Sequence, residues 1–313
     1  MLFLIGIIWS SILVARKFKL LHPFTSYSRF HIVIVISLDF VAVFPIAMIY
    51  RHLIVPYFNK LEDEISKAIM AAITPAVVLI PTAVCKYFAL KQSSEMIQPD
   101  RSFFLAYFLR GAMIVLYRIM QADFKSISLF VGLSLLHGFS NVLSKATEKL
   151  REKMWLRLIA CLRTTFCCSR LELLPLDTPY YRRLKADIEI QDMLFEYNTI
   201  IVSQVYLVLY LITSFNKSPW LVIKGSLIRM AIGLAIDFVF NCISVFIQIH
   251  YHDVPMRRVW FKCWKRHVIA NAIILMMVIF VFTGDLLSVF QARRDRTAAE
   301  YPIKNCTLPF GSW

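Results

Sequence analysis

The sequence predicts an all-α fold, a polytopic transmembrane helix bundle of seven spans with a short N-terminal segment as an eighth candidate. Three observations predict it. Of 313 residues, 58% are hydrophobic and 18% charged, and the mean hydropathy of +0.63 lies far above that of a water-soluble domain. Apolar stretches long enough to cross ~30 Å of hydrocarbon are spread along the whole chain. Lys and Arg gather in alternate connections between those stretches, the charge asymmetry of a multi-pass protein. Residues 1–313 therefore read as a single transmembrane domain.

Residues 2–14 form an apolar run of only 13 residues, short for a crossing. The first full span covers about 32–50 and contains Asp39 and Pro45. The second, about 68–90, contains Pro75 and Pro81, which predict a kink because each proline removes a helix hydrogen bond. Spans at about 103–120 and 127–143 are separated by six residues, so they read as an antiparallel hairpin. Three more follow at about 193–213, 221–249 and 268–290. No internal repeat relates the two halves of the chain, so the inverted-repeat sign of many transporters is missing.

Orientation follows from the basic residues. With charges at span ends counted into the adjoining connection, 22 Lys and Arg fall on one side and 11 on the other, ten of the 22 in segment 144–192. That places 144–192 in the cytosol and the C terminus extracellular or lumenal. Two N-x-[ST] triplets, Asn216-Lys217-Ser218 and Asn305-Cys306-Thr307, both fall on the outer side. Asn305 is the credible glycosylation acceptor, since Asn216 is close to lipid and its triplet precedes Pro219. The start carries neither a basic n-region nor an A-x-A site before Arg16, so removal as a signal peptide is not expected.

The net charge of +15 is thus assigned to the inner face and its anionic lipids, with no nucleic acid partner. Eight glycines and seven scattered cysteines exclude a glycine-rich nucleotide loop framework and a disulfide scaffold. G-x-x-x-x-G-K-[ST], H-E-x-x-H and G-x-S-x-G are all absent, so no enzyme and no cofactor are expected.

The cytosolic loop opens with a helical pattern. Leu150, Met154, Leu158 and Leu162 recur every four residues beside Trp155 and Ile159, while Lys149, Lys153 and Arg157 form a basic row. Two readings stay open: a helix lying on anionic inner-leaflet lipids, or a continuation of the preceding span into an intracellular bundle that contacts a partner. Cys161, Cys167 and Cys168 follow near the membrane and are palmitoylation candidates. His250, His252, Asp253, Cys263 and His267 are zinc-compatible types without a recognisable ligand spacing, so no metal site is expected.

Charges inside the spans are the most informative residues, because each costs about 2.5–3.5 kcal/mol near a helix centre unless paired or wetted. Counted at ~1.5 Å per residue, Arg110 and Asp237 fall near mid-membrane, Arg229 and Asp285 in the outer third, and Asp39 and Lys86 in the inner third. Three depth-matched pairs are therefore expected, acting as structural clamps or as the lining of a polar path. Asn241, one turn from Asp237, marks the same helix face.

A cytosolic start, seven crossings, an external C terminus and the longest loop inside after the fourth crossing resemble the layout of the insect gustatory and odorant receptor superfamily. Thr283-Gly284-Asp285-Leu286-Leu287-Ser288-Val289-Phe290-Gln291 is similar to that family's last-helix T-Y…Q-F signature in its Thr and late Gln, without the Tyr and with Phe before Gln. The resemblance implies a ligand-gated cation channel, a homo-oligomer whose last helix lines the pore. The residues themselves leave two further classes open. One is a transporter of a small polar solute or proton using Arg110, Asp237 and Asn241; the other is a non-catalytic membrane subunit whose charges specify helix pairing.

Overall fold

The computed structural model describes residues 2–23, 28–93, 102–165, 178–215 and 218–290. Among them the chain is all-helical, with no strand. Helix α1 is Leu2–Leu21 and α2 is Arg29–Ile49. A π-turn at Tyr50–Ile54 passes α2 into α3, Val55–Lys60, so that one apolar rod runs over 32 residues from Arg29 to Lys60. Next come α4 (Glu64–Ile73) and α5 (Leu79–Ser93), joined by a 3₁₀ turn at Thr74–Val78. That turn contains Pro75 and is the irregularity expected where proline cannot donate to the helix ladder.

Helix α6 is Phe108–Ala122, preceded by a 3₁₀ turn at Ser102–Leu105. Helices α7 (Ile127–Ala146) and α8 (Glu148–Thr165) are separated by Thr147 alone. The last three are α9 (Pro179–Ser214), α10 (Pro219–His252) and α11 (Met256–Ser288). Starts are marked as the sequence chemistry requires. Ser28, Ser126 and Thr178 accept from backbone N–H groups of the first turns of α2, α7 and α9, and α9 and α10 both open on proline.

Among the described residues, six helical segments are long and apolar enough to cross a membrane: Arg29–Lys60, Glu64–Tyr87, Ile127–Ala146, Pro179–Ser214, Pro219–His252 and Met256–Gly284. The expected span at 103–120 differs. Its first residues turn as 3₁₀, leaving a 15-residue α6 that is buried along almost its whole length. Helices α2, α4, α9 and α11 pack around it, with Phe108, Leu109, Leu116, Ile119 and Met120 in the main core. The N-terminal segment is also longer than its apolar run, because α1 extends to Leu21 and lies along α2.

The outer surface of the bundle is apolar. Phe139 of α7, Leu209 of α9, Phe238 and Phe246 of α10, and Met276 and Phe280 of α11 are all exposed, a surface that water-soluble proteins rarely sustain but that hydrocarbon accepts. Helices α9, α10 and α11, at 36, 34 and 33 residues, would each reach about 50 Å. They therefore extend beyond the hydrocarbon at one end. At that end α7 and α10 finish and α9 and α11 begin, with α8 against the start of α9. At the other end an aromatic layer closes the core: Tyr210 stacks on Phe290, Phe58 meets Phe124 edge-on, and Asn59 Nδ2 donates to the Ser288 carbonyl.

Candidate polar seam between α7, α9 and α10

The amphipathicity of α10 is inverted. Its buried residues are Ser226, Gly233, Asp237, Asn241, Ser244 and Gln248, whereas Phe238, Val239, Ile243, Phe246 and Ile249 are exposed. Spacings of three, four and seven put the buried set on one helix face. That face meets α7, which runs parallel to α10: Phe130 lies against Gly233, Phe240 against Gly138, and His252 Nε2 is 3.0 Å from the Lys145 carbonyl. Helix α9 runs antiparallel on the other side, with Ile200 beside Gly233, Asn241 near Glu196, and Gln248 Nε2 donating to Glu189 at 2.8 Å.

Ionisable groups form a file along this seam. At its deep end Arg118 of α6 pairs with Asp237 and donates to Gln121 Oε1 at 2.9 Å. Gln121 in turn donates to the Phe130 carbonyl and to Ser134 Oγ of α7. Next along stands Glu196, which accepts from Asn141 Nδ2 at 3.1 Å and lies 3.5 Å from His137 Nε2. The His137 ring stacks on Tyr117. Beyond it Lys145 pairs with Glu189 and lies 3.6 Å from Asp192, and Asp192 Oδ1 also accepts from Arg110 Nε at 2.7 Å, with the same guanidinium 2.6 Å from Oδ2 in an ion pair. His252 closes the file. From Asp237 to His252 it covers about 22 Å of helix.

The protein does not fill every bonding position on this file. Asp237 Oδ1, Ser244 Oγ, Gln248 Oε1 and Arg118 Nε are buried without a hydrogen-bond partner. Three of the four project from the buried face of α10. Unpaired buried polar atoms cost about 1–3 kcal/mol each, and a polar seam with free acceptors is where bound water settles in membrane proteins.

A second polar cluster joins the starts of α9 and α11. Asp187 accepts from Arg183 Nε at 2.9 Å and lies 3.0 Å from His267 Nε2. Gln191 Nε2 is 3.0 Å from His267 Nδ1, and Asn198 donates to Asn271. On the other side of α9, Lys185 pairs with Glu148 and Tyr181 donates to Glu152, which holds the first turns of α8 alongside α9. The beginning of the 144–192 loop is therefore part of a helical bundle.

Structure and sequence pair the charges differently. Arg110 pairs with Asp192, and the partner of Asp237 is Arg118. The helix begins at Phe108 instead of 103, so a depth counted from 103 sets Arg110 too deep and leaves Arg118 outside consideration. Asp39 does not pair with Lys86. It accepts from the Phe108 and Leu109 N–H groups at 2.7 and 3.4 Å, capping α6, while Lys86 Nζ lies 5.5 Å over the Tyr181 ring. Arg229 donates to the Phe124 and Lys125 carbonyls in the α6–α7 turn; the side chain of Asp285 lies outside the described residues. Asn241 shares the face of Asp237.

Of the loop residues, Lys149 donates to the Tyr251 carbonyl, Lys153, Arg157 and Cys161 are exposed, and Trp155 is half-buried. Cys167, Cys168 and Asn305 lie outside the described residues. Among the described residues no group of His, Cys, Asp or Glu could hold a metal ion. The residues missed from sequence, Arg118, His137, Lys145, Glu189, Asp192 and Glu196, did leave a signal. His137, Asn141 and Lys145 are spaced four apart on α7, and Asp192 and Glu196 four apart on α9, stripes complementary to that of α10.

A search of family models, curated proteins and solved structures finds no match to this chain.

Proposed function

We propose that this multi-pass chain is a membrane transport protein that moves protons, alone or with a small polar solute, along the seam between α7, α9 and α10. The supporting observation is the file Asp237, Glu196, His137, Glu189 and His252, set among unfilled acceptors on α10. Chains of carboxylate and imidazole inside membrane helices are the hardware of proton relays, and a relay needs bound water but no wide cavity. The orientation expected from the basic residues puts His252 at the cytosolic mouth and Asp237 at the deepest point.

Purified protein in liposomes loaded with a pH-sensitive dye tests this reading. Under an imposed potassium diffusion potential the wild type acidifies the lumen, and Glu196→Gln, which keeps the shape of the side chain but cannot carry the proton, slows that flux by about tenfold or more. Flux from wild-type vesicles equal to that from protein-free vesicles refutes it.

A second reading, a ligand-gated channel, is favoured by the chain layout and by the exposed apolar strip Ile269, Ile273, Met276 and Phe280 on α11, along which copies of the last helix could meet around a pore. Ligand-evoked current that is lost on substitution along that strip, with Glu196→Gln silent, would favour it over transport.

A further inference from the structure

The cytosolic-end turns of α11 carry a feature that neither seam nor core uses. Between Met256 and Gly284 there is no acidic residue, and the first three turns hold Arg257, Arg258, Lys262 and Lys265 interleaved with Trp260, Phe261 and Trp264. All seven side chains are exposed. They share one side of the helix, because the opposite side is docked: Val259 packs with Ala186 and Ile190 of α9, and His267 is bonded to Asp187. Cation and ring are paired within the patch, with Arg257 over Phe261 at 5.8 Å and Lys265 over Trp264 at 5.7 Å. Directly above, the same exposed side continues as Val268, Ile269, Ile273, Met276 and Phe280, all apolar.

We infer that this patch is a binding site for anionic phospholipid headgroups. The order along one helix face is basic and aromatic for about 12 Å, then purely apolar for about 18 Å from Val268 to Phe280, close to the headgroup depth and the ~15 Å hydrocarbon depth of one leaflet. Tryptophan seats at that boundary, and each basic residue near an anionic surface adds about a fivefold preference. Continuity with the exposed apolar strip of α11 favours a lipid, whose headgroup and chains meet both parts at once. The basic row of α8 is the poorer candidate, since Lys149 is engaged with the Tyr251 carbonyl and Glu148 and Glu152 sit on the same helix. The inference rests on the chain spanning a membrane and is independent of the transport reading.

The full chain, purified from mixed micelles of equimolar phosphatidylserine and phosphatidylcholine, tests it by native mass spectrometry of retained lipid. Wild type retains phosphatidylserine about fivefold or more over phosphatidylcholine. The variant R257Q/R258Q/K262Q/K265Q brings the ratio to parity, K149Q/K153Q/R157Q leaves it unchanged, and inorganic phosphate at about 10 mM does not displace the lipid, because the apolar contact is part of the site. Should the fourfold variant fail to fold, photoactivatable phosphatidylserine on wild type labels the 257–265 peptide. A wild-type ratio near one, an undiminished ratio in a folded fourfold variant, displacement by free phosphate, or labelling at 149–157 in place of 257–265 overturns the inference.

Discussion

Arg118 of α6 and Asp237 of α10 meet in a buried ion pair, each side chain being 1% exposed. The pair ties the central helix to the seam, and Gln121 ties the same guanidinium to α7 through Phe130 and Ser134. Its attraction offsets a large desolvation cost, so its net contribution is small, while loss of either half strands the other in a medium that solvates charge poorly. Asp237→Ala should therefore lower stability by about 3–5 kcal/mol, and the double variant Arg118→Met with Asp237→Leu should recover most of that loss. Thermal unfolding in detergent reads both, and a silent Asp237→Ala would show that the pair does not hold α6 in place.

Two glycines of α7 should respond in opposite ways. A Cβ at Gly138 would run into the Phe240 ring, whereas one at Gly132 meets nothing within 4 Å. Gly138→Ala must push α10 away from α7 or turn the ring, at a cost of about 1–3 kcal/mol. Gly132→Ala should be neutral or stabilise by up to ~1 kcal/mol through helix propensity. Equal effects in the same unfolding measurement would contradict the close parallel packing of the two helices.

Much of the fold was legible because hydropathy reports where lipid begins and ends. The expected spans at 127–143, 193–213 and 221–249 lie inside helices and 268–290 overruns the end of α11 by two residues, yet α9 starts fourteen residues before its apolar run and α11 twelve before. Hydropathy falls at Asp192 and at His267, but the helices continue in polar surroundings on pairs such as Arg183 with Asp187 and Lys185 with Glu148. The span at 103–120 was legible as apolar but not as a short helix behind a 3₁₀ turn. Asp39 was legible as costly; its purpose, capping that late-starting helix, depends on a contact between residues 69 apart in sequence. The pairing of charges was least legible, since one helix start displaced by five residues exchanges Arg110 for Arg118 opposite Asp237.

Acid should loosen the first turn of α4. Asp63 caps it, accepting from Ser66 N–H and Oγ–H, each at 2.9 Å, and from Ile65 N–H at 3.2 Å. The Ser66 N–H bond first, then the Ser66 hydroxyl, hold its carboxyl below its ordinary value of 3.8. A depressed value means the cap is fully formed above the ordinary value and is lost as pH falls through the lowered one. Amide exchange at Ile65 and Ser66, corrected for intrinsic rate, should rise only in that acid window, and Asp63→Ala should show fast exchange there at neutral pH. Protection unchanged by that substitution would contradict the cap.

The arrangement of the whole bundle comes down to which residues share a membrane face. Single cysteines at Lys125, Lys149 and Phe238, in a chain whose own seven cysteines are replaced by serine, can be challenged with a charged thiol reagent in sealed vesicles. Lys149→Cys and Lys125→Cys should react from opposite sides, and Phe238→Cys from neither. Labelling of 125 and 149 from one side, or ready labelling at 238, would contradict this arrangement.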